Sequence, residues 1–284
     1  MYSYMSRGSA MGLDSYLLAR KSGKGSPHTH TRIGNAQLKI PGGAYCISEE
    51  DEMTLLEKHY QKAFVRGSPE YLTEKQLVEN APILIDLDFR YAPEIKEKQH
   101  TDAHIVDIVM CYAYKLEEIC AIPEGAEIQV YVQEKANVNQ QESVTKDGIH
   151  IIICAALDKK YQVLLRKKVL QELPTLCEDL PLINTWNEIV DEGVVRGHAN
   201  WQLYGSRKPG NEAYLVKKHY FVKRVDGEWE IESATTKKFD TKKHLHMLSA
   251  RCRTHQAFDI QPSAKAEAEK TKERKRAAPR TRKA

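Results

Sequence analysis

The run "PILIDLDF" constrains the fold most, because it places two aspartates inside an apolar stretch typical of a buried strand. Side chains two positions apart in a strand project from one face, so Asp86 and Asp88 would lie roughly 7 Å apart, with Leu87 facing the core. Two carboxylates this close repel each other, and burying them without a partner costs free energy. The run therefore predicts a strand with one polar face that must be neutralised.

Divalent cations could neutralise that face. Mg²⁺ prefers carboxylate and phosphate oxygens, and two ions about 3.5–4 Å apart can bind the attacking and leaving oxygens of phosphoryl transfer. For this motif alone the alternative stays open, namely two solvated acids on the exposed face of a strand. Further residues have to decide between the two interpretations.

One such residue is the histidine of "KDGIHIIICAAL", a second apolar strand. His150 shares a strand face with Ile152 and Cys154, and a strand histidine is most often a satisfied core or edge residue. The preceding Lys146 and Gly148 would suit a close approach to phosphate. The motif is thus compatible with both a structural and a phosphate-binding role.

A third segment, "IVDEGVVRGHANWQLYGSRKPGNEAYLV", adds an acid after an apolar pair and then a basic loop. Asp191 follows the apolar pair directly, and Glu192 beside it is the alternative acid. Ser206, Arg207 and Lys208 lie in a predicted Gly-containing loop, where adjacent cations could hold triphosphate oxygens. A solvated turn is the alternative for this loop.

The remaining patterns predict an α+β fold. Helices are predicted by apolar periodicity over 48–64, 101–121, 158–173 and 240–255, and strands over 36–40 and 127–134. In the helix that follows Ser48, the residues Met53, Leu56, Tyr60 and Phe64 would share one face. A hairpin is predicted to turn at Asp226-Gly227. Because helices and strands interleave and one pair forms a hairpin, the class is α+β.

Charge and cysteine usage bound the compartment and the partners. The six cysteines lack CxxC spacing, which predicts reduced intracellular thiols, no disulfide framework and no zinc site. A ligand pair at His28 and His30 is less favoured than a flexible loop.

No apolar run is long enough for a membrane span, and no secretory signal heads the chain. From residue 261 onward the chain has nine Lys/Arg and three Glu, which predicts a disordered basic tail. Such a tail could bind nucleic acid, serve as a nuclear address or form a solvated linker.

Together, "ILIDLDFRY", "DGIHIII" and "IVDEGVVRGHANWQLYGSRKP" resemble, in this order, the motifs of the archaeo-eukaryotic primase superfamily. The resemblance is strongest to the N-terminal primase domain of primase-helicases from poxviruses and other large nucleocytoplasmic DNA viruses, and it covers roughly residues 29–222. It implies an α/β unit packed on an RNA-recognition-like module with the active cleft between them. The implied organisation is a flexible segment over 1–28, a catalytic domain over 29–260 and a basic tail over 261–284.

The same resemblance implies the site. Two Mg²⁺ or Mn²⁺ ions would be bound by Asp86, Asp88 and Asp191, which are also the implied catalytic residues. The phosphates of the incoming nucleotide would contact His150, Ser206, Arg207 and Lys208. Trp201 and Tyr204, in "NWQLYG", could stack on bases or pack in the core.

The implied function is a DNA-templated primase, a nucleotidyltransferase that uses single-stranded DNA and nucleoside triphosphates at a site of viral DNA replication, in a cytoplasmic factory or the nucleus. The resemblance also implies a helicase domain or subunit as the partner, because the viral relatives usually continue into a helicase. "SGKGS" at 22–26 lacks the spacing of a P-loop, so these residues are not expected to supply the helicase ATPase. Two alternatives remain at this point. One is a metal-dependent nuclease, and the other is an inactive primase-like module that binds single-stranded DNA.

Overall fold

Helices and strands are interleaved along the chain in the computed structural model, which describes residues 11–237 and 239–277. The helices are α1 (Leu13–Leu18), α2 (Glu49–Tyr60), α3 (Asp102–Glu117), α4 (Lys159–Val169), α5 (Leu173–Leu176), α6 (Trp186–Ile189), α7 (Glu192–Val195), α8 (Thr241–His244) and α9 (Pro262–Ala277), and a π-helical turn, Gln61–Val65, follows α2. The strands are β1 (His30–Arg32), β2 (Gly43–Tyr45), β3 (Leu72–Glu74), β4 (Ala81–Tyr91), β5 (Cys120–Ala121), β6 (Glu127–Glu134), β7 (Asn139–Gln140), β8 (Thr145–Leu157), β9 (Trp201–Gln202), β10 (Leu215–Val225), β11 (Glu228–Ala234), β12 (Gln256–Ala257) and β13 (Asp259–Ile260). The α+β class is confirmed.

A large sheet forms the centre of the molecule. Its strands follow the order β11-β10-β6-β8, and β4 pairs with the free side of β8. All these pairings are antiparallel, and two short strands, β7 and β12, extend β8 at its ends. In the register of β4 and β8, Asp86 lies opposite His150 and Asp88 lies opposite Gly148.

The two faces of this sheet pack against different cores. The face with Ile85, Leu87 and Phe89 is covered by α3 and α4 in the larger core. The opposite face, with Leu84 and Ile152, packs against α1, α2 and a four-stranded antiparallel sheet of order β2-β1-β3-β9. Because side chains alternate along β4, its even-numbered residues face the smaller sheet, and this confirms the predicted orientation of both aspartates.

The hairpin is confirmed at the predicted dipeptide. Strands β10 and β11 pair from Val225 and Glu228 outward, and the connecting Asp226 and Gly227 have φ values of 50° and 83°. Positive φ at both central positions is the geometry that right-handed strand twist favours, and Asp-Gly tolerates it. Among the described residues, no helix combines the length and apolar content needed to cross a bilayer.

Three local predictions are wrong. Residues 36–40 form a turn and not a strand, with Lys39 at a φ of 52° and one isolated bridge between Asn35 and Ile40. In α2, Met53 is exposed, whereas Leu55 and Leu56 are buried. The predicted helix over 240–255 is reduced to α8 and a series of turns.

Tertiary contacts explain the short α8. The buried carboxylate of Glu74 accepts hydrogen bonds from the Ser249 hydroxyl at 2.5 Å and the Ala250 N–H at 2.8 Å. Arg251 also pairs with Glu52 at 2.6 Å. These contacts bind the backbone and side chains in a non-helical arrangement, so they outweigh the helical pattern of the sequence.

Both chain ends are more ordered than predicted where the structure describes them. Within the segment expected to be flexible, α1 buries Leu13, Tyr16 and Leu17. The basic tail begins with α9, whose Ala264 is 2% exposed and whose Glu267 lies 2.7 Å from Lys167 of α4. An alanine-rich segment can form a helix once a neighbouring surface covers its apolar side. Residues 1–10 and 278–284 lie outside the described residues.

Candidate active site

The three predicted acids converge, although Asp191 is far along the chain from the other two. Each of Asp86, Asp88 and Asp191 offers an oxygen, and these atoms lie within 4.8 Å of one another. Their elements are joined by backbone contacts, because the Asp191 N–H donates to the Asp86 carbonyl at 3.0 Å and Leu87 bridges Val190. The strand and the third acid are thereby fixed relative to each other.

A capping bond orients the third acid. Asp191 precedes α7, and its Oδ1 accepts a hydrogen bond from the Val194 N–H at 2.8 Å. A carboxylate in this position satisfies one unpaired N–H of the helical turn and is held in one rotamer. The neighbouring Glu192 is exposed and pairs with Arg196, so it does not join the cluster.

The cluster is electrostatically unfavourable without a cation. Burial, and then the charges of Asp88 and Asp191, raise the pKa of Asp86 to about 8. Burial and the Asp191 charge also raise the pKa of Asp88. Asp86 Oδ1 is buried and accepts no hydrogen bond. An all-oxygen donor set with a buried, unpartnered oxygen fits a hard divalent cation such as Mg²⁺ or Mn²⁺.

His150 lies beside this cluster between two aromatic rings. Its ring stacks on Tyr214 with centroids 3.6 Å apart, and Trp201 covers it at 4.3 Å. His150 Nε2 is 3.4 Å from Asp86 Oδ1. Burial, and then the charges of Lys135 and Lys208, lower the pKa of His150 well below its usual value. The imidazole is therefore neutral, and its contact with Asp86 is not an ion pair.

These side chains line a cleft of about 410 Å³ between the large sheet and the smaller one. The three acids and His150 line it, together with four cations and two further carboxylates: Arg90, Lys135, Lys146, Lys208, Asp147 and Glu212. Six neutral amide side chains add to the polar lining: Asn137, Asn139, Gln141, Asn200, Gln202 and Asn211. A polar cleft with separate acidic and basic groups suits a ligand that carries both phosphates and hydrogen-bonding edges.

The basic loop divides between the cleft and the interior. Lys208 lies in the cleft, whereas Ser206 is 2% exposed and its Oγ accepts from the Leu72 N–H at 3.2 Å. The Arg207 N–H donates to the Glu70 carbonyl at 2.9 Å, and its Nε is buried without a hydrogen-bond partner. Neither Ser206 nor Arg207 belongs to the cleft lining, so their phosphate-binding roles stay predictions.

The two aromatic residues of "NWQLYG" pack in the interior. Trp201 contacts His150, and the Tyr204 ring stacks on Phe64 with centroids 5.4 Å apart. Both are buried, Trp201 to 2% and Tyr204 to 4% exposure. Of the two possibilities left by the sequence, the structure favours core packing.

The sequence motifs do not include Lys135 and Tyr214, which also line the cleft. The signal for Lys135 is the alternation in "EIQVYVQEK", which places it on the same strand face as Tyr131 and Gln133. Because Gln133 pairs with His150 in the register of β6 and β8, that face leads to the cleft. The sequence contains the alternation, but it does not reveal which strands are neighbours.

Comparison with known proteins identifies the family of the chain. A model of the C962R protein N-terminal AEP domain, the archaeo-eukaryotic primase domain, matches residues 34–220. A protein of Acanthamoeba polyphaga mimivirus named "Putative helicase L207/L206" is 28% identical over 212 residues, which cover 73% of this chain. The matched region is only 21% of the mimivirus protein, so this chain corresponds to about a fifth of that relative's length. The chain therefore belongs to the C962R-type family of archaeo-eukaryotic primase domains and is related to viral primase-helicases.

Proposed function

We propose that this chain is a DNA-templated primase that joins nucleotides into short primers, and that it works as the primase part of a primase-helicase. The observation that supports the activity is the convergence of Asp86, Asp88 and Asp191 in one cleft that Lys135 and Lys208 also line. The family supports the reaction class, and the name of the mimivirus relative supports the helicase partner. Single-stranded DNA and nucleoside triphosphates are the proposed substrates.

Residues of different charge would have different roles in the reaction. The three carboxylates would hold two divalent ions, which when bound supply Lewis acidity to the reacting phosphate. Lys208 would attract the triphosphate by its positive charge. The neutral His150, fixed between Tyr214 and Trp201, would donate or accept one directed hydrogen bond. Catalysis would come mainly from positioning and charge stabilisation.

The deciding experiment is primer synthesis on single-stranded DNA with labelled nucleoside triphosphates and Mg²⁺ or Mn²⁺. We expect new oligonucleotides from the wild-type chain and none from the Asp88→Asn variant. The matched control is Asp226→Asn, because Asp226 lies in the β10–β11 turn outside the cleft lining and Asn also tolerates its positive φ.

The alternative functions give different outcomes in the same assay. Degradation of the template without synthesis would replace the proposal by a metal-dependent nuclease. Template binding without either reaction, unchanged in Asp88→Asn, would replace it by a single-strand-binding module. Equal synthesis by the wild type and Asp88→Asn would remove these carboxylates from the reaction.

A further inference from the structure

Lys135 is a cation at the end of a buried strand and lies outside the sequence motifs that predicted the site. It follows the last residue of β6, is half-buried and lines the cleft. Its ammonium lies over the Tyr214 ring, 4.7 Å from the ring centroid. That ring is itself stacked on His150. Lys135 thus contacts Tyr214, and Tyr214 contacts His150, which lies beside the acids.

No carboxylate neutralises this ammonium at ion-pair distance within the described part of the chain. The ion pairs closest to it in the sequence use Glu134 instead, which pairs with Lys98 and His100 at 3.1 Å each. Three other cations line the cleft, Arg90, Lys146 and Lys208, and none of them forms an ion pair with a described residue either. A half-buried ammonium without a partner is unfavourable, so the site is incomplete without an anion.

The three acids are not the missing partner once divalent ions occupy them. Two such ions carry more positive charge than three carboxylates can balance, so Lys135 and Lys208 would then face additional positive charge. Only a strongly anionic ligand removes this excess. A nucleoside triphosphate has the required charge, and its phosphate oxygens accept from both ammonium groups.

The loops that carry the two lysines are tied together. The backbone N–H and the side-chain amide of Asn137 both donate to the Glu212 carboxylate, at 2.9 and 2.7 Å. Asn137 follows Lys135 closely in one loop, and Glu212 follows Lys208 closely in the other. A turn bond from the Asn211 N–H to the Lys208 carbonyl, at 3.0 Å, fixes the second loop further. The spacing of the two cations is therefore largely set before any ligand binds.

From this geometry we infer that Lys135 is a triphosphate-binding residue that acts together with Lys208 on the incoming nucleotide. The inference rests on the proposed function. It adds a contact from the end of β6 to a site otherwise built from β4, β8, Asp191 and the loop that carries Lys208. Its role is toward the phosphates and not toward the divalent ions, since it carries the same sign of charge as those ions.

The test is isothermal titration calorimetry on the full chain with ATP and AMP in excess Mg²⁺, and with Mn²⁺ alone. Lys135→Met should weaken ATP binding about tenfold or more, because a charge-assisted contact is lost. It should leave Mn²⁺ binding equal or tighter, because a repelling cation is removed. Lys135→Arg should restore ATP binding. Lys217→Met, which removes an exposed lysine of β10 outside the cleft lining, should match the wild type.

The outcomes separate this inference from the proposed function. If the wild type binds ATP and Lys135→Met binds it equally well, the role of Lys135 is overturned and the proposed function stands. If Lys135→Met weakens ATP and AMP equally, the contact is not to the outer phosphates and the inference is overturned. Parallel loss of ATP and Mn²⁺ binding would assign Lys135 to the folding of the cleft and would also overturn it. A wild type that binds Mn²⁺ but no nucleotide would remove the proposed function itself.

Discussion

Asp86 combines two opposing requirements in one side chain. Its strand neighbours Ile85 and Leu87 are buried in the larger core, whereas its own carboxylate clusters with those of Asp88 and Asp191. Burial and like charge both favour the protonated form, which would be useless as a metal ligand. In its ionised form Asp86 is therefore unfavourable in this fold unless a cation lies beside it.

Asp86→Asn should abolish primer synthesis without harming the fold. The amide cannot replace an anionic metal ligand, so we expect a loss of about 100-fold or more in rate. In metal-free buffer the midpoint of thermal unfolding should stay equal or rise, because like-charge repulsion within the cluster falls. A variant that loses activity and stability together would mean that Asp86 has a structural role.

The pH dependence of stability should show the raised pKa of this carboxyl. Since Asp86 keeps its proton up to about pH 8 in the folded chain and loses it near pH 4 when unfolded, the folded state binds more protons in this window. The free energy of unfolding in metal-free buffer should therefore fall as pH rises through the window.

A comparison with Asp86→Asn separates the contribution of the carboxylate cluster from those of other groups. Burial lowers the pKa of Lys159 to about 7, and ion pairing with Asp147 and Glu134 outweighs burial to raise that of His100 to about 9, so both groups also titrate near neutral pH. Both remain in the variant and cancel in the difference. Urea unfolding between pH 6.5 and 8 should show the wild type losing stability relative to Asp86→Asn, and parallel curves would contradict the raised pKa.

The individual residues show what a motif can predict. The motif order predicted that five residues come together in one cleft, and they do: Asp86, Asp88, Asp191, His150 and Lys208. Each lies on or beside an element in which strand alternation or a helix-capping bond fixes the direction of the side chains. Ser206 and Arg207 directly precede Lys208, but the Ser206 hydroxyl and the Arg207 N–H bind the backbone at Leu72 and Glu70. Residues of a loop follow no periodic pattern, so the sequence could not show which of the three lines the cleft. Their roles and those of the acids remain to be tested.

At the level of elements, a buried ion pair joins the smaller sheet to the basic loop. Arg32 of β1 donates to both carboxylate oxygens of Glu70, at 2.6 and 2.7 Å. Glu70 directly precedes Tyr71 and β3, and its carbonyl receives the Arg207 N–H. The pair thus supports both the sheet and the start of the loop that carries Lys208.

Glu70→Gln should destabilise the chain by about 3 kcal/mol, because the Arg32 guanidinium is left buried without a full countercharge. Glu57→Gln, at an exposed position of α2, is the matched control and should change the free energy of unfolding by less than about 0.5 kcal/mol. Urea unfolding at neutral pH measures both. A cost for Glu70→Gln no greater than that of the control would show that Asp14, 2.7 Å from Arg32, suffices as its partner.

The success of the element predictions follows the strength of their patterns. Strands β4, β6 and β8 and the β10–β11 hairpin were predicted because apolar runs, alternation and an Asp-Gly turn are local signals. The prediction of a helix over 240–255 is wrong because Glu74, from a distant strand, binds the Ser249 hydroxyl and the Ala250 N–H. Contacts of that sequence separation are invisible to a local pattern.

At the scale of the whole molecule, the large sheet separates the cleft from the C-terminal helix. The cleft lies on the face toward the smaller sheet, whereas α9 packs on α4, which covers the other face. Ala264 of α9 belongs to the larger core, and Ala268 packs against it. The basic segment is thus part of the domain through α9, and its first helix contributes to stability as well as charge.

Ending the chain after residue 261 should therefore lower the midpoint of thermal unfolding by about 2 to 4 °C, as expected for the loss of about 1 kcal/mol in a domain of this size. Ending it after residue 277 keeps α9 and should leave the midpoint unchanged. Differential scanning calorimetry compares the two. Equal midpoints for the full chain and the 1–261 form would mean that α9 adds nothing to the core.

The same two truncations address the nucleic-acid role of the tail. If its cations contact DNA, single-strand affinity should fall and its dependence on salt should become shallower with each truncation. Equal salt slopes for all three lengths would favour the linker interpretation.

The pairing of Asp86 with His150 across two adjacent strands has a consequence for how this chain can vary in length. Adding or removing one residue inside β4 or β8 would exchange the two faces of the strand, sending a carboxylate into the helix-covered core and an isoleucine or leucine into the cleft. The β10–β11 turn has no such restriction, because its length moves none of the three carboxylates. Insertions and deletions should therefore be tolerated at Asp226-Gly227 and rejected within 81–91 and 145–157.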